Sequence, residues 1–135
     1  MRDNNWLEER LKQMWELLYP DIPRQNTVYV RFKGRWKNKF GHITSKGKDS
    51  EIVINGLFKN DLVPEYIIDI TLAHELAHYA HGFHSPLPRK YKYPHKNGVV
   101  DKELVKRGFG HWVRKEKTFL KKEWPFLYKS LQGTN

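Results

Sequence analysis

Two histidines and a glutamate, His74, Glu75 and His78, stand in the order His-Glu-Leu-Ala-His within an apolar run. On a helix, residues four apart lie one turn above each other, so His74 and His78 point the same way. Two imidazoles so placed can share one metal ion at about 2.0–2.1 Å each. Glu75 follows the first histidine but is rotated off their line, where its carboxylate reaches water at the ion rather than the ion itself. HExxH on a helix is the arrangement of zinc hydrolases, with the glutamate as general base. Without a metal, two imidazoles and a carboxylate buried on an apolar helix cost several kcal/mol unless each finds a partner.

The neighbouring residues predict a buried helix to carry this trio. Ile67, Ile68, Ile70, Leu72, Ala73, Leu76, Ala77 and Ala80 leave almost no polar face. Pro64 suits a first helical position, and Gly82 stands where a helix most readily stops. Ahead of it, residues 4–19 repeat Leu7, Leu11, Met14, Trp15 and Leu18 at helical spacing, with Asp3 to cap and Pro20 to end the helix. Residues 27–40 alternate instead. Val28, Val30, Phe32 and Trp36 fall on even positions, and Arg31, Lys33, Arg35, Lys37 and Lys39 on odd ones, with Gly34 marking a bulge or turn. A strand would turn the first set to the core and the cations to the other face. Residues 40–44 predict a second strand and residues 51–55, EIVIN, a third, separated by the turn-rich SKGKDS. The third strand is expected to border the cleft and offer a free edge to an extended peptide.

Past Gly82 the chain loses its period: residues 83–98 hold three prolines, a long irregular loop. Residues 101–107 read as a short helix. A last amphipathic helix begins near His111, with Trp112, Val113, Phe119 and Leu120 inward, and ends or kinks at Pro125. These elements predict an α+β fold in one domain over residues 1–135. A small, mostly antiparallel three-stranded sheet packs against a central HExxH helix, with N- and C-terminal helices on its flanks.

A catalytic zinc takes three protein ligands and leaves one position open. His81 continues the helical face, but positions 74, 78 and 81 span about 10 Å along a straight helix, too far for one ion. His84 lies just after Gly82, where a reversal could return it. His95, in Tyr93-Pro94-His95, sits on a separate element that can approach from the opposite side. His111 and Glu103 are also open by geometry.

The segment IVIN followed by VPEYIIDITLAHELAHYA resembles the SprT-like (Spartan-like) zinc metallopeptidases, over about residues 27–107. In that family the loop after the HExxH helix brings the third zinc histidine, often as Pro-His-Gly or Gly-His-Gly. The matching position is His95 in Pro94-His95, with Gly98 after a short gap. The cysteine-rich zinc ribbon of many relatives is missing. The resemblance implies a Zn2+-dependent endopeptidase with His74, His78 and His95 as ligands and Glu75 as base. It implies a protein substrate bound or crosslinked to DNA.

Charge points to the same partner. The net charge is +10, residues 86–135 hold thirteen basic and four acidic side chains, and residues 31–48 hold seven basic and none acidic. Such asymmetry suits a polyanion, with Arg31, Lys33, Arg35, Lys37 and Lys39 as the candidate DNA contacts. Cysteine is absent, which excludes a disulfide scaffold or a cysteine zinc site. No run predicts a membrane span and no signal-peptide core opens the chain, so a cytoplasmic, intracellular protein is expected. Two other functions share the motif: a nucleic-acid-binding module with an idle or structural zinc, and a zinc amidohydrolase acting on a non-peptide amide.

Overall fold

In the computed structural model, which describes residues 1–133, the chain runs α1 (Asn4–Leu18), β1 (Val28–Lys33), β2 (Gly41–Lys46), β3 (Asp49–Asn55), a 3-10 turn (Gly56–Lys59), α2 (Glu65–Ala80), α3 (Val99–Lys106), α4 (Gly110–Lys122) and α5 (Trp124–Leu131). The fold is α+β. The side chain of Asp3 caps α1 by accepting the Trp6 N–H at 2.8 Å. Leu7, Leu11, Met14, Trp15 and Leu18 are buried, as their spacing predicts. That face rests on β1 and α2.

β1 alternates as expected, with Val28, Val30 and Phe32 buried and Tyr29, Arg31 and Lys33 outside. It stops at Lys33, however. Gly34 takes φ +86° and turns the chain out of the sheet, so Arg35, Trp36, Lys37 and Lys39 lie in a loop. A side chain at Gly34 would also collide with the Trp36 ring.

The sheet is mixed rather than mostly antiparallel. Its order is β1-β3-β2, with β2 antiparallel to β3 and β1 parallel to it. Ser50 therefore faces Val28 on one side and Ser45 on the other. β3 is the interior strand, and both of its edges are taken, so the free edge expected at residues 51–55 is absent there. The near-continuous burial of Ser50 through Asn55 fits this position, since an interior strand covered on both faces needs no polar alternation. Asn55 ends it with three bonds: its Nδ2 donates to the carbonyls of Trp36 (2.7 Å) and Lys39 (2.9 Å), and its Oδ1 accepts from Leu57 N–H (3.1 Å). One buried amide thus holds the loop after β1 beside the start of the 3-10 turn.

α2 packs against α1, α3, α4, β2 and β3. Pro64 is its N-cap residue, one place before the expected first position. Its C-terminus closes with a Schellman motif: Phe83 N–H donates to the His78 carbonyl and Gly82 N–H to that of Tyr79. Gly82 has φ +79°, and a Cβ there would strike the Pro88 carbonyl, so the returning loop lies directly on this glycine. At the other end of the chain, α4 ends at Lys122 and α5 begins at Trp124, so the helical run breaks just ahead of Pro125, which falls in the first turn of α5. Proline lacks only an N–H that this turn leaves unpaired anyway. Trp124 is buried, donates from Nε1 to the Lys37 carbonyl at 2.7 Å, and meets Phe40 and Phe58 edge to face. Among the described residues no helix is long and apolar enough to cross a membrane.

Candidate metal centre

His74 and His78 project from adjacent turns of α2, their ring centroids 5.0 Å apart. His95 comes from the loop after the helix and brings its ring to 4.6 Å from that of His78. Ligand nitrogens from all three lie within 4.8 Å of one another, close enough to bind one metal ion. His78 is only 1% exposed, yet neither of its ring nitrogens has a hydrogen-bond partner among the described residues. A buried imidazole without a partner is costly, and a cation supplies what the protein does not. The donor set fits a first-row metal bound through neutral imidazoles.

Electrostatics keep the nitrogens available. Burial holds His78 down to about 3, helped by the neighbouring His74, and burial holds His74 down to about 4. Both are neutral near pH 7, the form that binds a metal. Glu75 is 4% exposed, and burial pushes its carboxyl up to about 8. It forms no ion pair among the described residues. A cavity of about 460 Å³ opens beside it, lined by His74, Glu75, Glu116, Lys39, Phe40 and Trp124 among others.

The remaining histidines have other partners. His84 adopts φ +51°, its Nδ1 lies 2.9 Å from Ser45 Oγ, and its carbonyl accepts from Ser50 Oγ at 2.6 Å. It braces the loop against β2 and β3 and stands outside the three-histidine group. His81 Nε2 meets Glu103 Oε1 at 2.8 Å, which occupies both of those residues with each other. Burial raises the Glu103 carboxyl, but hydrogen bonds from His81 and Arg107 outweigh it and hold it below its ordinary value. Arg107 continues the chain of contacts to Asp21 and to the Leu18 carbonyl, tying α3 to the end of α1. His111 is exposed and meets the Trp112 ring edge to face.

The five cations expected in a row are dispersed. Arg31 pairs with Glu51 at 3.3 Å, Lys33 stays on the outer face of β1, and Arg35 donates to the Leu131 carbonyl at 2.8 Å. Lys37 and Lys39 line the cavity instead, Lys39 with its ammonium 4.7 Å from the Trp36 ring. The end of β1 and the turn at Gly34 are the cause, since period-two alternation holds only within a strand.

Glu116 is the site residue that the sequence pattern hid. It sits among Arg114, Lys115 and Lys117, where it reads as part of a solvated face. Its spacing from Val113 and Leu120 was the available signal, because positions three and four apart share a helix stripe. Leu120, expected in the core, is 40% exposed and lines the same cavity. Comparison with known proteins gives no match: no family model, no curated protein and no solved structure matches this chain.

Proposed function

We propose that this chain is a zinc-dependent endopeptidase that acts on proteins bound to DNA. The observation that carries the peptidase reading is the convergence of His74, His78 and His95, with a buried Glu75 at the wall of the adjoining cavity. His74, His78 and His95 would hold the ion. Zinc supplies Lewis acidity, polarising a scissile carbonyl and making water a stronger acid.

The chain's own residues account for the rest. Glu75 accepts a proton from water on a carboxylate oxygen and passes it to the departing amine nitrogen. Burial favours its neutral form in the metal-free protein, and a bound dication would favour the carboxylate, so the form that can accept a proton becomes populated as metal loads. Thr71 and Phe40 wall the cavity beside it and displace solvent from the carboxylate.

DNA enters through charge. Arg114, Lys115, Lys117, Lys121 and Lys122 stand exposed on α4, and Lys37 and Lys39 flank the cavity mouth. The test is cleavage of an unfolded protein by zinc-loaded chain, with and without single-stranded DNA, beside a Glu75→Gln control. Zinc-dependent cleavage that DNA accelerates and that salt weakens is expected, because phosphate contacts release counterions. Cleavage surviving Glu75→Gln, or DNA affinity indifferent to salt, would refute the respective half of the reading.

A further inference from the structure

Glu116 is a carboxylate placed where a helix ordinarily puts an apolar side chain. Counting from Val113 and toward Leu120, it lies on the stripe of α4 that faces the cavity beside Glu75. Its side chain is half-buried, and among the described residues it makes no hydrogen bond and no ion pair. The two lysines that flank it on α4 are engaged elsewhere. Lys117 pairs with Asp101 at 3.3 Å, and Lys115 lies over the Tyr66 and Trp112 rings at 4.3 and 5.0 Å. Burial, and after it the charge of Asp101, raise the Glu116 carboxyl to about 7.

We propose that this cavity is the subsite for a lysine or arginine side chain of the substrate, and that Glu116 is the residue that selects it. The inference rests on the peptidase reading above and names the substrate class of that site. Phe40, Leu120 and Trp124 provide apolar wall for a methylene stem, and Glu116 provides the counter-charge for its head. The volume of about 460 Å³ lies within the range of ligand pockets. Lys37 and Lys39 line the same cavity and oppose a cation. Both are exposed, so solvent and salt screen them, whereas the half-buried Glu116 is screened less.

The experiment measures binding and cleavage separately. Peptides of the form Ac-Ala-Ala-X-Ala-Ala-amide, with X lysine, leucine or glutamate, are titrated by calorimetry into the zinc-loaded, turnover-deficient Glu75→Gln chain. The lysine peptide is expected to bind about tenfold or more tightly than the leucine peptide. Adding Glu116→Gln should bring that ratio near one, and Glu116→Lys should turn it toward the glutamate peptide. Glu116→Asp, which keeps the charge, should retain the preference for lysine and serves if the other variants fold poorly by circular dichroism. Equal binding of the lysine and leucine peptides, or a lysine preference that survives Glu116→Gln, overturns the proposal. Cut sites in an unfolded protein are mapped in parallel with the unsubstituted chain. Lysine-selective binding without cleavage sinks the peptidase reading and upholds the subsite. Cleavage without basic residues at a fixed place beside the cut sinks the subsite alone.

Discussion

His78 and His81 stand one turn apart at the end of α2, each 1% exposed, and the protein treats them in opposite ways. His81 gives Nε2 to Glu103, which also holds Arg107, and Arg107 reaches Asp21. Only His81 Nδ1 is left without a partner. His78 has no partner at either nitrogen and is flanked by two more imidazoles. His81 belongs to a clamp that joins three helices. His78 belongs to a group of three imidazoles close enough to bind one metal ion. Burial alone does not distinguish a structural histidine from a ligand; what surrounds its nitrogens does.

Substitutions on the two sides should separate cleanly. The largest effect is expected for His78→Ala, which should lose zinc on dialysis. The affinity should drop by more than the roughly 10–100-fold typical of removing a ligand's supporting partner, as read by metal content. Next comes Glu75→Gln, where turnover should fall by about 10²–10⁴-fold while zinc stoichiometry stays at one per chain. Zinc lost together with activity would place Glu75 among the ligands instead.

On the clamp side, Glu103→Ala leaves the buried Nε2 of His81 without its partner and removes one of those of Arg107, which keeps Asp21 and the Leu18 carbonyl. It should destabilise the fold by about 3 kcal/mol in urea melts, with zinc still bound below the transition. Loss of zinc from the folded variant would contradict the separation of clamp and site.

The pH dependence of metal-free protein gives a smaller effect. Glu75 has a folded pKa of about 8 against 4.5 when unfolded, so between those values the folded chain keeps a proton that the unfolded chain has shed. Stability from this group therefore falls as pH rises from 4.5 through 8. His74 and His78 act oppositely: their folded values near 4 and 3 lie below 6.5, so their contribution is lost as pH falls from 6.5. Both histidines remain in Glu75→Gln, so the difference between the two stability curves isolates the carboxyl. The variant should gain on the order of 2 kcal/mol relative to the parent between pH 5 and 8. A flat difference curve would mean that Glu75 is ionised in the folded, metal-free chain. The smallest effect belongs to His84→Ala, which should cost about 1 kcal/mol through the lost Ser45 contact and leave zinc content unchanged. His95→Ala, compared with it, should lose the metal.

Which parts were legible in the sequence follows from the range of the forces involved. α1 and α2 are written in local periodicity, and the stop at Gly82 in a glycine's access to positive φ. The pairing of His74 with His78 needs only helical pitch. The parallel docking of β1 on β3 is a contact between residues about 22 apart in sequence, and alternation in β1 is the same whichever neighbour it takes. Likewise Pro125 marks a boundary in sequence, but whether a helix ends or begins there depends on what Trp124 packs against.

By itself the order of amino acids determined a buried helix with two imidazoles on one face and a carboxylate beside them, because spacing and hydrophobicity act within a few turns. The tertiary structure brought His95, the position that the family resemblance had indicated, to the pair and set His84 against Ser45, and it alone decided that β3 lies inside the sheet and that Glu116 faces the cavity. Each of these depends on how a loop or helix is laid against distant residues, and such placement is set by packing across the whole core rather than by any local pattern.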